Sequence, residues 1–144
     1  MTRSIVEHYI DQSMRKMNVD VIDVIQFHWW DYNDANYIDA LHQLTKLRDD
    51  GKISHLALTN FDTERIQIMV DNGIQLISNQ VQYSIIDQRP NVKMALFCKN
   101  HDMKILAYGT LLGGLLTEKY LGAPKPTQTD LDTYSLQKYM NMID

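Results

Sequence analysis

Four apolar runs alternate with helix-like segments along the chain, at 21–28, 55–60, 76–83 and 104–109. The apolar positions in these runs are nearly continuous, which is typical of strands covered on both faces in a parallel sheet. Strand–helix–strand repeats with short connections form right-handed crossovers. The pattern therefore predicts an α/β fold, a partial TIM (β/α)8-type barrel with about four parallel strands and flanking helices.

The segments between the runs carry apolar residues at three- and four-residue steps, which predicts helices. We expect a first helix that begins with a capping box formed by Ser4 and Glu7. Asp62 is a suitable N-cap for the helix after the second strand. Pro90 suits the first position of the next helix. The predicted apolar face of that helix consists of Val92, Ala95 and Leu96.

The length of 144 residues allows one domain with a real core and is short for two. We expect a single partial (β/α) domain over residues 1–144. The Ala-Pro-Lys-Pro sequence that starts at Ala123 predicts a linker at 123–130. Apolar residues beyond it predict a terminal helix at 131–144.

The composition, 44% hydrophobic and 22% charged, is that of a globular protein. The net charge is −4 and no segment concentrates Lys and Arg, so we expect no nucleic-acid partner. No signal core and no apolar stretch of about 20 residues is present, so we expect no membrane partner. The lone cysteine, Cys98, fits a reducing, cytoplasmic location, and its apolar neighbours favour a buried helix residue over a reactive thiol.

Polar and aromatic residues end each predicted strand. Because the chemistry of a (β/α) barrel sits at the C-terminal ends of its strands, these side chains are expected to face one site. The residues concerned are His28, Thr59, Asn60, Gln80 and Tyr108.

Each strand-end residue has a plain structural interpretation beside the functional one. His28 either donates a hydrogen bond to a substrate carbonyl or is a satisfied core histidine. Trp29 and Trp30 either line a substrate pocket or plug the barrel mouth. Tyr108 either stacks on a flat heterocycle or packs as an ordinary aromatic residue.

The amide and hydroxyl groups of Thr59, Asn60 and Gln80 either bind a planar carboxamide through hydrogen bonds or cap helices and stabilise loops. After Tyr108, a glycine-containing loop that starts at Gly109 would let a ligand approach the backbone closely. No metal site is predicted, because the histidines do not pair at helical spacing.

These residues and the motifs around them resemble the aldo-keto reductase family. The resemblance runs over most of the chain, with order and spacing in agreement. It is carried by Gln-Phe-His-Trp at 26–29, Leu-Thr-Asn-Phe at 58–61, Ser-Asn-Gln-Val-Gln-Tyr-Ser at 78–84, Asp-Gln-Arg-Pro at 87–90 and Ala-Tyr-Gly-Thr-Leu at 107–111, with further matches at 40–47 and 51–53.

The resemblance implies a TIM barrel that reduces aldehyde or ketone carbonyls, small-molecule substrates, with NADPH; NADH is not excluded. It implies that His28 is the catalytic histidine that orients and polarises the carbonyl. The residues implied to bind the cofactor are Thr59, which stands where serine is usual, with Asn60, Gln80, Tyr108, Gly109, Thr110 and Leu111.

The chain departs from the family at both flanks. The family's catalytic Asp, Tyr and Lys precede the histidine strand, and its segment that grips the adenosine 2′-phosphate follows the next strand; neither stretch is matched. The Asp and Tyr residues at 31–37 follow His28 and are not assigned to these roles. We therefore expect a truncated reductase that is weakly active or inactive alone.

An open half-barrel has two unpaired edges, so we also expect self-association or pairing with a complementing barrel fragment. The alternatives are a non-catalytic fragment that binds nucleotide or a partner protein, and a structural product with no ligand.

Overall fold

In the computed structural model, which describes residues 2–127 and 129–143, helices and strands alternate after a leading helix. Three 3₁₀ turns, at Arg89–Asn91, Leu112–Gly114 and Glu118–Tyr120, lie between them. The elements are α1 (Arg3–Met17), β1 (Ile22–His28), α2 (Tyr37–Asp49), β2 (Ile53–Thr59), α3 (Thr63–Asp71), β3 (Ser78–Gln82), α4 (Met94–Asn100), β4 (Lys104–Tyr108) and α5 (Tyr134–Ile143).

The four strands form one parallel sheet in the order β1-β2-β3-β4. The predicted α/β partial barrel is therefore confirmed. The predicted linker at 123–130 includes residue 128, and the predicted domain and terminal helix include residues 1 and 144, which lie outside the described part of the chain. No helix in that described part is long and apolar enough to cross a membrane.

The two faces of the sheet differ in burial. On one face, Leu56 and Leu58 are fully buried and belong to the same core cluster as residues of the helices, such as Leu41. On the other face, Val24 of β1 and Leu106 of β4 stay exposed. We call this second face the concave face, because in a closed (β/α) barrel the face away from the helices lines the interior.

The start of α1 differs from the sequence prediction. The helix begins at Arg3 after Thr2, so the predicted capping box at Ser4 is wrong. The Glu7 carboxylate instead accepts a hydrogen bond from the Lys52 ammonium at 2.8 Å. At the other end, Asn18 adopts the left-handed conformation that stops the helix, with φ of 54°.

The segment around Pro90 is broken rather than continuous. Pro90 lies in the 3₁₀ turn, Lys93 leaves helical geometry with φ of −134°, and α4 begins only at Met94. This break changes which residues face inward. Val92 is 80% exposed, and the buried residues of α4 are Met94 and Cys98, so the predicted inward face is wrong while the burial of Cys98 is as expected. Leu96 is likewise exposed, and Ala95 is half-buried.

The loop between β3 and the Pro90 turn is held by its own polar groups. The Ser84 hydroxyl accepts hydrogen bonds from the backbone of Ile86 and Asp87. The buried Asp87 carboxylate accepts from the Arg89 guanidinium at 2.8 and 2.6 Å. This pairing lowers the pKa of the Asp87 carboxyl, although burial acts in the opposite direction.

The Asp62 N-cap yields a first prediction. Its carboxylate accepts from the backbone N–H of Arg65 at 2.8 Å, so Asp62→Ala should lower the free energy of unfolding by about 1 kcal/mol. Asp62→Asn should keep most of that stability, because asparagine also caps helices. Urea denaturation followed by circular dichroism measures both changes. Thr2→Ala is the control, because Thr2 makes no side-chain cap bond; equal losses at the two caps would contradict the prediction.

The Asp87–Arg89 pair yields a prediction about pH. Because the folded pKa of Asp87 is depressed, its stabilisation is present at neutral pH and is lost as the pH falls below about 4. Asp87→Asn should cost about 1 kcal/mol at pH 6, since Arg89 is 77% exposed and the pair is partly screened.

The difference between wild type and Asp87→Asn should then shrink on acidification, as measured by urea unfolding at pH 6 and pH 3. Asp102→Asn is a matched control, because Asp102 is 96% exposed and its one ion pair among the described residues is with Lys104. A constant difference at both pH values would argue against the pairing.

Candidate active site

Three polar side chains form a row across the C-terminal edge of the sheet. His28 is paired in register with Thr59, and Thr59 with Gln80. Residues paired across parallel strands point to the same face, so the row lies on the concave face. All three are half-buried. None of these side chains forms a hydrogen bond with another residue of the described chain.

Asn60 follows the row and connects three neighbouring segments. Its backbone is left-handed, with φ of 63°, and its N–H donates to the Gln80 carbonyl at 2.8 Å. Its own carbonyl accepts from the Tyr32 hydroxyl at 2.8 Å, and its side-chain Oδ1 accepts from the Tyr108 hydroxyl at 2.9 Å. Its Nδ2 has no acceptor in the described part of the chain, so the amide group presents two unused donors.

Tyr108 and the loop after it are covered by α5. The Lys138 ammonium lies 5.8 Å from the centroid of the Tyr108 ring. A Cβ placed on Gly109 would lie 2.5 Å from the Tyr139 hydroxyl. The room left by Gly109 is therefore used for packing against α5, while Thr110 and Leu111 are exposed.

The two tryptophans point in different directions. Trp29 packs against the core, stacked on Phe27 at 5.7 Å, and its indole N–H donates to the Asp34 carbonyl at 3.1 Å. Trp30 is 88% exposed and meets the His28 ring edge-on at 4.6 Å. Only Trp30 therefore lies beside the row.

A cleft of about 550 Å³ opens at the same edge of the sheet. Asn60 and Tyr108 line it, whereas His28, Thr59 and Gln80 do not. The other lining residues come from the start of α3, from β3, from the Pro90 turn, from α4 and from α5. The site thus has two adjoining parts, the row on the concave face and the cleft above β3 and β4.

Several cleft residues were missed by the sequence analysis. Gln82 lies two positions beyond Gln80, so strand alternation places both on the same face, and that signal was readable. Arg89 and Lys138 also line the cleft. Nothing in the sequence indicates that α5 returns to the end of β4, so Lys138 carried no such signal.

Most charges in the cleft are neutralised locally. Arg89 pairs with Asp87, and Lys93 pairs with Glu64 at 2.6 Å. Asp62 pairs with Arg65. Next to the cleft, burial raises the pKa of Tyr32, and the nearby Asp62 carboxylate acts in the same direction. No cluster of His, Cys, Asp and Glu that could hold a metal ion occurs among the described residues.

Known proteins resemble this chain in sequence. The Aldo/keto reductase family model matches residues 1–142. Flagellar radial spoke protein 5 of Chlamydomonas reinhardtii is 30% identical over 132 residues, which cover 78% of this chain and 25% of that protein. The NADH-specific methylglyoxal reductase of Escherichia coli is 25% identical over 114 residues, which cover 78% of this chain and 35% of that protein.

Solved structures agree with this relationship. The glycerol dehydrogenase AKR11B4 from Gluconobacter oxydans superposes with a TM-score of 0.76 at 26% identity, over 96% of this chain and 44% of that one. An aldo-keto reductase from Klebsiella pneumoniae in complex with NADPH superposes with a TM-score of 0.65 at 26% identity, over 76% of this chain and 39% of that one. The chain therefore spans less than half the length of these relatives. Because the family model matches almost all of its residues, the chain belongs to the aldo/keto reductase family.

Proposed function

We propose that this chain supplies the carbonyl-orienting histidine and the nicotinamide-binding edge of an NADPH-dependent reductase of aldehydes and ketones. The observation that carries the proposal is a set of polar groups at one edge of a parallel sheet that have no hydrogen bond to any described residue: His28, Thr59, Gln80 and Asn60 Nδ2. Polar groups placed together without partners of their own are suited to a ligand that brings the partners.

The residues present fit a nicotinamide group. The Tyr108 hydroxyl occupies Asn60 Oδ1, which fixes the amide so that its Nδ2 faces outward as a donor. A carboxamide oxygen accepts from such a donor, and the Gln80 amide offers both an acceptor and a donor for the rest of the group. The Tyr108 ring supplies a flat surface for stacking. When bound, the cofactor supplies the hydride.

His28 would orient the substrate carbonyl. A neutral imidazole N–H donates to the carbonyl oxygen and stabilises the negative charge that develops there. Protonation of that oxygen needs an acid, and general acid catalysis is worth about 10²–10⁴-fold. The family's Asp, Tyr and Lys are not matched in this chain, so full activity requires the half-barrel that carries them.

The cofactor proposal favours NADPH. The Klebsiella pneumoniae relative is described in complex with NADPH, whereas the Escherichia coli relative is named NADH-specific. NADH is the alternative, because the family segment that recognises the 2′-phosphate is not matched here. A cytoplasmic location is part of the same proposal, since Cys98 is a free, buried thiol whose pKa burial raises.

The exposed residues of the concave face support a partner for this half-barrel. Val24 and Leu106 lie on the two outer strands and are each 41% exposed. A complementing (β/α)4 half would pair both edges and cover this face. Self-association of the chain is the competing way to cover it.

A non-catalytic role is the second candidate. It is favoured by the 30% identity with a protein named for the flagellar radial spoke, and by the exposure of Trp30 beside His28. In that case the same edge would bind a nucleotide or a partner protein without turnover.

Reconstitution tests the reductase proposal. The chain alone should reduce an aromatic aldehyde with NADPH weakly or not at all. Mixing it with an N-terminal half-barrel that carries the family's Asp, Tyr and Lys should produce turnover, and His28→Ala should lower kcat of that mixture by about 10²-fold. NADPH absorbance measures the rate, and size exclusion with light scattering measures assembly.

The control is His42→Ala, a half-buried histidine of α2, a helix that packs on the opposite face of the sheet. A stable mixed complex without turnover would favour the non-catalytic candidate. Robust turnover by the isolated chain that depends on His28 would overturn the requirement for a second half. Homodimers that exclude the added half would identify self-association instead.

Asn60 yields a prediction about cofactor affinity. Asn60→Gly should weaken NADPH binding by about threefold to tenfold, the effect of one neutral hydrogen bond. Glycine keeps the left-handed backbone, so the fold should survive. Asn18→Gly is the matched control, because Asn18 is also left-handed but ends α1. Fluorescence titration that finds equal affinities in the two variants would remove Asn60 from the proposed site.

A further inference from the structure

Lys138 differs from the other cations of the cleft. Arg89 and Lys93 are each held by a carboxylate at 2.6 Å. The Lys138 ammonium instead lies over two aromatic rings, 5.8 Å from the Tyr108 centroid and 5.3 Å from the Tyr139 centroid. Within the described residues, no carboxylate is in ion-pair contact with it. The Asp87 carboxylate, which is paired with Arg89, acts on the Lys138 ammonium only from a longer distance.

A second group in the cleft also lacks a partner. Gln82 is only 5% exposed, and its side-chain Oε1 is buried without a hydrogen bond among the described residues. In the described part of the chain, the one acceptor for its Nε2 is the Met142 sulfur of α5, at 2.9 Å, and a thioether is a weak acceptor. A buried acceptor without a donor costs about 1–3 kcal/mol. A cation outside any ion pair and a buried acceptor without a donor, both judged among the described residues, therefore line one cleft.

A ribose phosphate satisfies both groups, because its phosphate oxygens are anionic acceptors and its sugar hydroxyls are donors. Resting on the proposed function, we infer that Lys138 binds the diphosphate of the nicotinamide dinucleotide, with Gln82 accepting from the adjoining ribose. The flexible four-carbon stem of lysine lets the ammonium move from the Tyr108 ring to an arriving phosphate.

The position of Lys138 selects the diphosphate over the 2′-phosphate. The proposed nicotinamide site is at Tyr108, and in the dinucleotide a single ribose separates the nicotinamide ring from the diphosphate. The 2′-phosphate lies at the far, adenosine end. Helix α5 is fixed at this place because Tyr139 packs over Gly109 and Gly113. Lys138 is therefore held within reach of the nearer phosphates.

Binding measurements on the full chain test the inference. NADPH, NADH and inorganic pyrophosphate are titrated by calorimetry into wild type, Lys138→Met and Lys138→Arg. Lys138→Met should weaken the binding of all three ligands by about tenfold, equivalent to about 1.4 kcal/mol. It should also reduce the salt dependence of binding. Lys138→Arg should restore most of the affinity, because the charge is kept.

Lys119→Met is the matched control. The Lys119 ammonium lies 5.0 Å from the Tyr120 ring centroid, which is the same type of contact outside the cleft. Removing this charge should therefore leave the affinities for all three ligands unchanged. Circular dichroism checks that each variant is folded.

The possible outcomes separate the two proposals. Unchanged affinities in Lys138→Met would overturn the inference. A loss of affinity for NADPH alone would also overturn it, because it would indicate a contact with the 2′-phosphate. Either result would leave the proposed nicotinamide site unaffected. Lys138-dependent binding of pyrophosphate without binding of NADPH or NADH would support the anion contact and refute the nicotinamide site. If wild type binds none of the three ligands, both proposals fall.

Discussion

Parallel pairing in one fixed register is the constraint on which the rest of the structure depends. Because β1 to β4 run in the same direction and pair in sequence order, every strand ends at the same edge of the sheet. His28, Thr59 and Gln80 are distant in sequence and become neighbours only through this register. A shift of one residue on any strand would turn its polar end toward the core and break the row.

Asn60 stabilises the edge that the register creates. Its left-handed backbone turns the chain from β2 into α3, and its polar groups contact the segment after β1, the backbone of β3 and the ring hydroxyl at the end of β4. A single residue therefore ties the ends of all four strands together. The same bonds orient its amide, so the interactions that hold the loops in place also leave the donor available for a ligand.

The partial barrel leaves its concave face exposed, and α5 covers the C-terminal end of β4. The concave face exposes Val24 and Leu106, which in a closed barrel would be covered by further strands. The end of β4 is covered by α5, whose Tyr139 fills the space above Gly109. The glycine that sequence reasoning assigned to ligand access therefore serves helix packing, and this packing carries Lys138 to the cleft.

The sequence alone was sufficient for the four strands and their parallel direction, because continuous apolar runs and intervening helical periodicity are local signals. It was also sufficient for Asp62 as a cap and for the burial of Cys98. Around Pro90 it failed, because the chain leaves helical geometry at Lys93, whose side chain pairs with the distant Glu64 of α3, and the buried face begins at Met94.

The candidate site divides in the same way. Strand-end residues could be named from the sequence, since the end of each run marks them. Only the tertiary structure decided three other features: the hydrogen bond to Asn60 Oδ1, the different environments of Trp29 and Trp30, and the position of Lys138 over the Tyr108 ring. Each of these depends on contacts between segments far apart in the chain, and such contacts leave no periodic trace in the amino-acid order.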